Sequence, residues 1–260
     1  MNRREFVAGV GFGVAAIAVP VQSQTIARVK ALMFDTLGTV VDWRGSIIQE
    51  GKAWNKERGV SIDWASFADR WRAGVVPEMT KVRENRMPWT NLDILLGVVL
   101  DDLLKEFRID GLSQEEKESW NRVWCRFNPW SDSVTGLTRL KKGYTIAPCS
   151  NGNVALINDM AKHSGLPWDL ILGAELARHY RPDREAYLTS VNLLGLKPAE
   201  VMMCAAHTDD LNAARRCGLR TGFIHRPDEY GTDRRGDTAR PGDFDIVAEN
   251  LLDFATKVQI

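Results

Sequence analysis

Four apolar runs in this sequence each end on a side chain that can do chemistry. Residues 29–34 run into Asp35, with Thr39 four positions on, and residues 144–149 end on Ser150 and Asn151. After the run 170–173 comes the basic residue Arg181, and the run 201–206 leads through His207 to Asp209 and Asp210. Singly these residues are ordinary, since Asp, Asn and Ser after a strand commonly form turns or cap helices. In order, they assemble a carboxylate, hydroxyls, a guanidinium and an acid pair. The backbone N–H groups of a helix beginning after Ser150 would suit a carboxylate or a phosphate.

The elements that must position these groups follow from the spacing. Short apolar runs that open into polar loops read as buried parallel strands. Strands are expected at 29–35, 144–150, 170–173, 201–206, 220–225 and 244–247, separated by helices at 154–164, 184–194, 211–217 and 250–257. Such alternation predicts an α/β fold with a Rossmann-like parallel sheet, whose ligands bind at the C-terminal strand ends. Residues 46–130 break the alternation with helical patterns at 64–82, 92–107 and 114–127. This stretch reads as a helical cap inserted after the first strand, with the core formed by 27–45 and 131–260. Trp89, Trp120, Trp124 and Trp130 belong to the cap core or to a homodimer contact. The stretch 228–243, rich in Gly, Asp, Arg and Pro, reads as a mobile surface loop.

The 260 residues carry 34 basic and 34 acidic side chains, so no charge surplus points to nucleic acid or an anionic membrane. Cys125, Cys149, Cys204 and Cys217 show no metal-binding or disulfide spacing and read as small apolar residues. At the start, Arg3 and Arg4 precede Phe6 and an apolar run to Val19, too short to span a bilayer. Residues 1–26 therefore read as a signal peptide of the twin-arginine type, predicting a periplasmic protein free of the membrane after cleavage.

Four motifs stand in order: Phe34-Asp35-Thr36-Leu37-Gly38-Thr39, Cys149-Ser150-Asn151-Gly152, Tyr180-Arg181-Pro182-Asp183, and Ala205-Ala206-His207-Thr208-Asp209-Asp210. Together they resemble the haloacid dehalogenase superfamily, most closely its type II (L-2-haloacid dehalogenase) branch, over the whole mature chain. The resemblance implies hydrolytic dehalogenation of small anionic 2-haloacids to 2-hydroxy acids through an aspartyl ester on Asp35, with no cofactor. It makes Asp35 the nucleophile and has Thr39, Ser150 and Asn151 hold the substrate carboxylate or the Asp35 loop. Arg181 stands in the place of a family lysine, Tyr187 matches a tyrosine six residues later, and Asp210 matches an acid near the nucleophile. The pair Trp71-Arg72 resembles a segment supplying a halide-binding arginine.

The charges explain why such chemistry needs these residues. An anionic nucleophile meets an anionic substrate and a second anion departs, so cations must offset both. Two further departures from the branch are His207 for asparagine and Asp209 for tryptophan. His207 reads either as an activator of the ester-cleaving water or as a packed histidine. Leu37 occupies the place where superfamily phosphatases carry a proton-donating acid, which favours carbon–halogen chemistry. The alternatives are a Mg²⁺-dependent phosphatase, with the metal on Asp35 and Asp210 and Asp209 as a further oxygen donor, and a non-catalytic binding protein on the same scaffold.

Overall fold

A computed structural model describes residues 28–232 and 234–260. The signal segment expected at 1–26 lies outside them. Six parallel strands form one sheet in the order β5-β4-β1-β6-β7-β8. They are β1 (Ala31–Phe34), β4 (Thr145–Ser150), β5 (Leu172–Gly173), β6 (Val201–Ala205), β7 (Arg220–Ile224) and β8 (Ile246–Ala248). All four β1 side chains are buried, as expected of a central strand covered on both faces. Phe34 pairs with Pro148 of β4 on one side and Cys204 of β6 on the other, so Asp35 follows directly on backbone paired with both neighbours. The chain winds from β1 through β4 to β5, then crosses back to β6 on the far side of β1. Asp35 therefore emerges where the winding direction reverses, the usual ligand position in open α/β sheets.

Helices α5 (Ser133–Leu140), α6 (Val154–Ser164), α7 (Ala174–Ala177), α8 (Arg184–Leu193) and α9 (Thr208–Arg216) lie between the strands, and α10 (Leu251–Lys257) follows the last one. Helix α9 begins three residues earlier than expected, which places Asp209 and Asp210 in its first turn. Acids there interact favourably with the helix dipole.

Between β1 and α5 lies the helical insert: α1 (Trp43–Arg58), α2 (Trp64–Arg83), α3 (Leu92–Glu106) and α4 (Gln114–Asn121). Its first helix starts ahead of residue 46 because Asp42 caps it, accepting from Gly45 N at 2.8 Å. A short antiparallel ladder joins β2 (Val41–Asp42) to β3 (Asn128–Pro129), so the stretch 46–130 contains one strand that its helical pattern hid. The interior of the insert is aromatic. Trp64 and Trp120 stack at 4.7 Å, while Trp124 packs edge-on to Trp71 and Phe127. Trp89 lies on Tyr180, and Trp130 donates its indole N–H to Gly38 O at 2.8 Å. All four tryptophans weighed for an intermolecular contact are thus engaged within the chain. Cys149 and Cys204 are buried, and all four cysteines are free thiols.

One buried ion pair fastens the loop after β1 to the rest of the core. Arg226, just beyond β7, grips Asp132 through two bonds of 2.8 and 2.9 Å and donates from Nε to Thr39 O at 2.8 Å. Asp132 also accepts from Leu251 N at 2.7 Å, at the start of α10. Removing one partner would strand a buried charge, which costs about 3–5 kcal/mol. Asp132→Ala should therefore lower the urea-unfolding free energy by about that amount. A change below about 1 kcal/mol, the scale of an exposed pair, would contradict this assignment.

Candidate active site

A tight loop aims Asp35 at the sheet edge. Val40 N and Val41 N both donate to Thr36 O, and Gly38 turns the chain at φ +84°, where a side chain is strained. The Asp35 side chain is buried, with the residue 4% exposed. Its Oδ2 accepts from the Thr39 hydroxyl at 2.9 Å, and Thr39 Oγ1 in turn accepts from Ala206 N at 2.9 Å. Thr39 thus locks the Asp35 loop to the end of β6.

Arg181 reaches in from the turn before α8. Its Nη2 donates to Asp35 Oδ1 at 2.5 Å and its Nη1 donates to Asp210 Oδ2, so one guanidinium bridges two acids. Asn151 holds the base of this arginine, accepting from Arg181 N at 2.8 Å through Oδ1. Tyr187 donates its hydroxyl to Asp210 Oδ1 at 2.5 Å. Burial foremost, with the neighbouring Asp35 charge, pushes the Asp210 carboxyl up, while Arg181 opposes that shift. Burial also works to raise the Asp35 carboxyl, but Arg181 and His207 outweigh it and hold the group well below the usual carboxylate range. Asp35 is consequently an anion.

His207 is the N-cap residue of α9. Its Nδ1 lies 3.0 Å from Asp35 Oδ2, and its Nε2 lies 3.1 and 3.0 Å from the two Glu229 oxygens. Burial alone would favour the neutral ring, but hydrogen bonds and charge from the two carboxylates prevail and push its pKa up to about 10. Glu229 is 1% exposed and also accepts from Trp43 Nε1 at 3.1 Å.

The structure therefore brings Asp35, Thr39, Arg181, Asp210, Tyr187 and His207 into direct contact, with Asn151 behind Arg181. Ser150 is buried beside them, but its Oγ accepts from its own turn, from Gly152 N at 3.2 Å. Arg72 stands apart. Half-buried on α2, it lies over the Trp43 ring at 5.7 Å, the same indole that donates to Glu229. Asp209 faces solvent, away from Asp210. The start of α6 is not the open anion site that the sequence suggests. Gly152 N turns to Ser150, and Val154 N donates to the Glu175 carboxylate at 2.7 Å.

Glu229 was hidden in the sequence by its setting. The stretch 228–243 reads as a mobile loop, yet Glu229 is buried and Asp237 accepts from both Thr208 N and Thr208 Oγ1 at 2.8 Å. These anchors strap the segment across the start of α9. The usable signal was the end of a fifth strand, β7, on the same sheet edge, from which Arg226 and Glu229 both follow.

The geometry does not match a metal bridge between Asp35 and Asp210. The Arg181 guanidinium occupies the position between the two carboxylates, and Asp210's second oxygen is held by Tyr187. Among the described residues, no group of three or more His, Cys, Asp or Glu side chains is arranged to hold a metal ion. The arrangement presents an ionised, desolvated carboxylate with a cation on each side.

Comparison with known proteins gives a consistent result. A family model described as haloacid dehalogenase-like hydrolase matches residues 29–218. The solved L-2-haloacid dehalogenase PA0810 is 43% identical, with a TM-score of 0.84 over 88% of this chain and 99% of its own. The defluorinating L-2-haloacid dehalogenase Rha0230 is also 43% identical, with a TM-score of 0.87 over 93% of this chain and 100% of its own. The (S)-2-haloacid dehalogenase of Pseudomonas sp. (strain YL) is 25% identical over 201 residues, which cover 76% of this chain and 83% of that one. A phosphatase is also among the matches.

The raised His207 pKa has a direct readout. The ring is protonated below about 10 and loses its proton only as pH rises through that value. Nitrogen-15 shifts of His207 should therefore remain those of an imidazolium at about pH 8, well above the ordinary histidine value. Neutral-ring shifts at that pH would contradict the paired arrangement.

Proposed function

The chain belongs to the haloacid dehalogenase-like hydrolases, and within that family we propose that it hydrolyses small (S)-2-haloacids to 2-hydroxy acids through an ester on Asp35. The observation that carries this reading is the Asp35 carboxylate itself, kept anionic in a buried site by Arg181 on one oxygen and His207 on the other. In the first half of the reaction an Asp35 oxygen attacks carbon two of the substrate from behind, and the carbon–halogen bond breaks with both electrons leaving on halide. In the second half water attacks the ester carbonyl, releases the 2-hydroxy acid and restores the carboxylate.

The remaining groups suit an anionic substrate. Arg181 Nε is buried without a partner among the described residues, and a bound carboxylate would supply its missing acceptor. Arg72 is the cation available for the departing halide. Its guanidinium lies over the Trp43 ring, and that indole in turn donates to Glu229. The insert acts as a cap over the strand ends, and several polar contacts hold it there. Arg83 pairs with Asp183, and Asn91 donates to Glu175 at 2.8 Å. A covered site excludes water and strengthens the charge interactions inside it.

Two observations favour this reading over a phosphatase. Leu37 is buried and aliphatic where a general acid would be needed, and a guanidinium fills the place of a bridging Mg²⁺. The proposed reaction therefore uses no cofactor. The intact polar network weighs against a decayed binding protein, because an unused buried carboxylate would be costly to retain. We also propose export in the folded state by the twin-arginine route to the periplasm. That proposal is supported by Arg3-Arg4-Glu5-Phe6, the apolar run that follows, and the absence of any disulfide among the described residues. N-terminal sequencing of the exported protein tests it.

The catalytic reading is tested by chloride release from 2-chloropropionate in the presence of EDTA. Turnover should proceed without metal, with inversion at carbon two. Asp35→Asn should abolish it while leaving the fold intact. Metal-dependent release of phosphate from an aryl phosphate without chloride release would overturn the reading, as would retained configuration.

A further inference from the structure

The two Asp35 oxygens are held differently, and the difference assigns work to a residue outside the four motifs. Oδ2 accepts from the Thr39 hydroxyl at 2.9 Å and from His207 Nδ1 at 3.0 Å, which fills both of its lone-pair directions. Oδ1 accepts from Arg181 alone among the described residues and keeps one lone pair free to attack. After attack through Oδ1, Oδ2 is the carbonyl oxygen of the ester, still facing the Thr39 hydroxyl and the His207 ring.

We infer that His207 acts as an oxyanion donor in the hydrolytic half of the reaction and that Glu229 is the positioning residue that keeps it charged and aimed. The inference rests on the dehalogenase reading above. Water attacks Asp35 Cγ, and the carbonyl π-electrons move onto Oδ2. The new negative charge is met by the imidazolium Nδ1–H and the Thr39 hydroxyl, two donors already in place. The Cγ–Oδ1 bond then breaks, and the 2-hydroxy acid leaves with Oδ1. One proton of the water goes to the departing oxygen, and the other leaves as Asp35 ionises again.

Two features support a donor rather than a base. Nδ1 is in direct contact with Oδ2, which leaves no room for a water between them. The ring is also flanked by two carboxylates, and a base would have to be neutral. Glu229 matters because Asp35 loses its charge on becoming an ester. From that moment the imidazolium has one anionic partner left, and that partner is Glu229. The site is built closely around this carboxylate. Trp43 Nε1 donates to it, and a methyl group at Gly38 would fall 2.1 Å from Glu229 Oε1.

The test separates the two half-reactions. Wild type, Glu229→Gln, His207→Asn and the double variant are mixed rapidly with 2-chloropropionate, and chloride is followed alongside intact mass after acid quench. Glu229→Gln should keep a burst of one chloride per site at close to the wild-type rate. Its steady-state rate should fall about tenfold or more, and the ester should accumulate on the protein. A single oxyanion donor is typically worth about 10²–10³-fold, which bounds the effect. His207→Asn retains a neutral donor, so Glu229→Gln should cost nothing further in that background. Equal slowing of burst and steady state, no change in Glu229→Gln, or an undiminished penalty in the double variant would each overturn the inference. If Glu229→Gln does not fold, His207→Asn alone decides it: the ester should still accumulate on the protein while the steady-state rate falls, and no accumulation would overturn the inference. If wild type releases no chloride, it is the dehalogenase reading that fails.

Discussion

A buried carboxylate must stay ionised, and the site is organised around that single requirement. With Asp35 almost wholly removed from water, burial alone would favour its neutral form, which is a poor nucleophile. Arg181 and His207 reverse that preference. Each of these cations is itself partly withdrawn from water and has an anion of its own: Asp210 for Arg181 and Glu229 for His207. The result is a chain of alternating charge, Asp210–Arg181–Asp35–His207–Glu229. Three negative groups then face two positive ones. Formation of the ester removes one negative charge and leaves the chain balanced at the stage when the substrate carboxylate still has to be held.

The fold serves this chain by bringing strand ends to one edge of the sheet. Strand β1 lies at the centre of the sheet and delivers Asp35. The end of β6 delivers His207 and Asp210, and the turn before α8 delivers Arg181. The end of β7 delivers Arg226 and Glu229. Arg226 does no chemistry in this account, yet its bond to Thr39 O fixes the loop whose hydroxyl holds Oδ2. The phosphatase alternative would need a metal between the two acids. Here a guanidinium stands there, and it differs from a lysine in having two donor nitrogens set apart well enough to reach Asp35 and Asp210 together.

Much of this was legible in the residues. The strands that deliver Asp35, Ser150 and His207 are buried on both faces, so they read as short unbroken apolar runs with a polar residue at the exit. The insert was legible because its helices are long and amphipathic, although its start shifted with the Asp42 cap. Less visible was anything decided by distant packing. Glu229 sits in a stretch of turn-forming residues, and only the position of Gly38 and Trp43 in space makes it a buried partner of His207. The apparent anion site at the start of α6 was misleading for a similar reason, since Glu175, far along the chain, already fills it. Arg72 was singled out only by the resemblance of the Trp71-Arg72 pair, and it lies over the Trp43 ring that donates to Glu229.

The nucleophile itself can be tested by following oxygen. In a single turnover with enzyme in excess over 2-chloropropionate, in oxygen-18 water, the product hydroxyl should carry oxygen from Asp35 and be unlabelled. The label should appear in the Asp35 carboxylate, located by peptide mass analysis. Labelled product in that first turnover, with Asp35 unlabelled, would mean that water displaces the halide directly and would contradict the account.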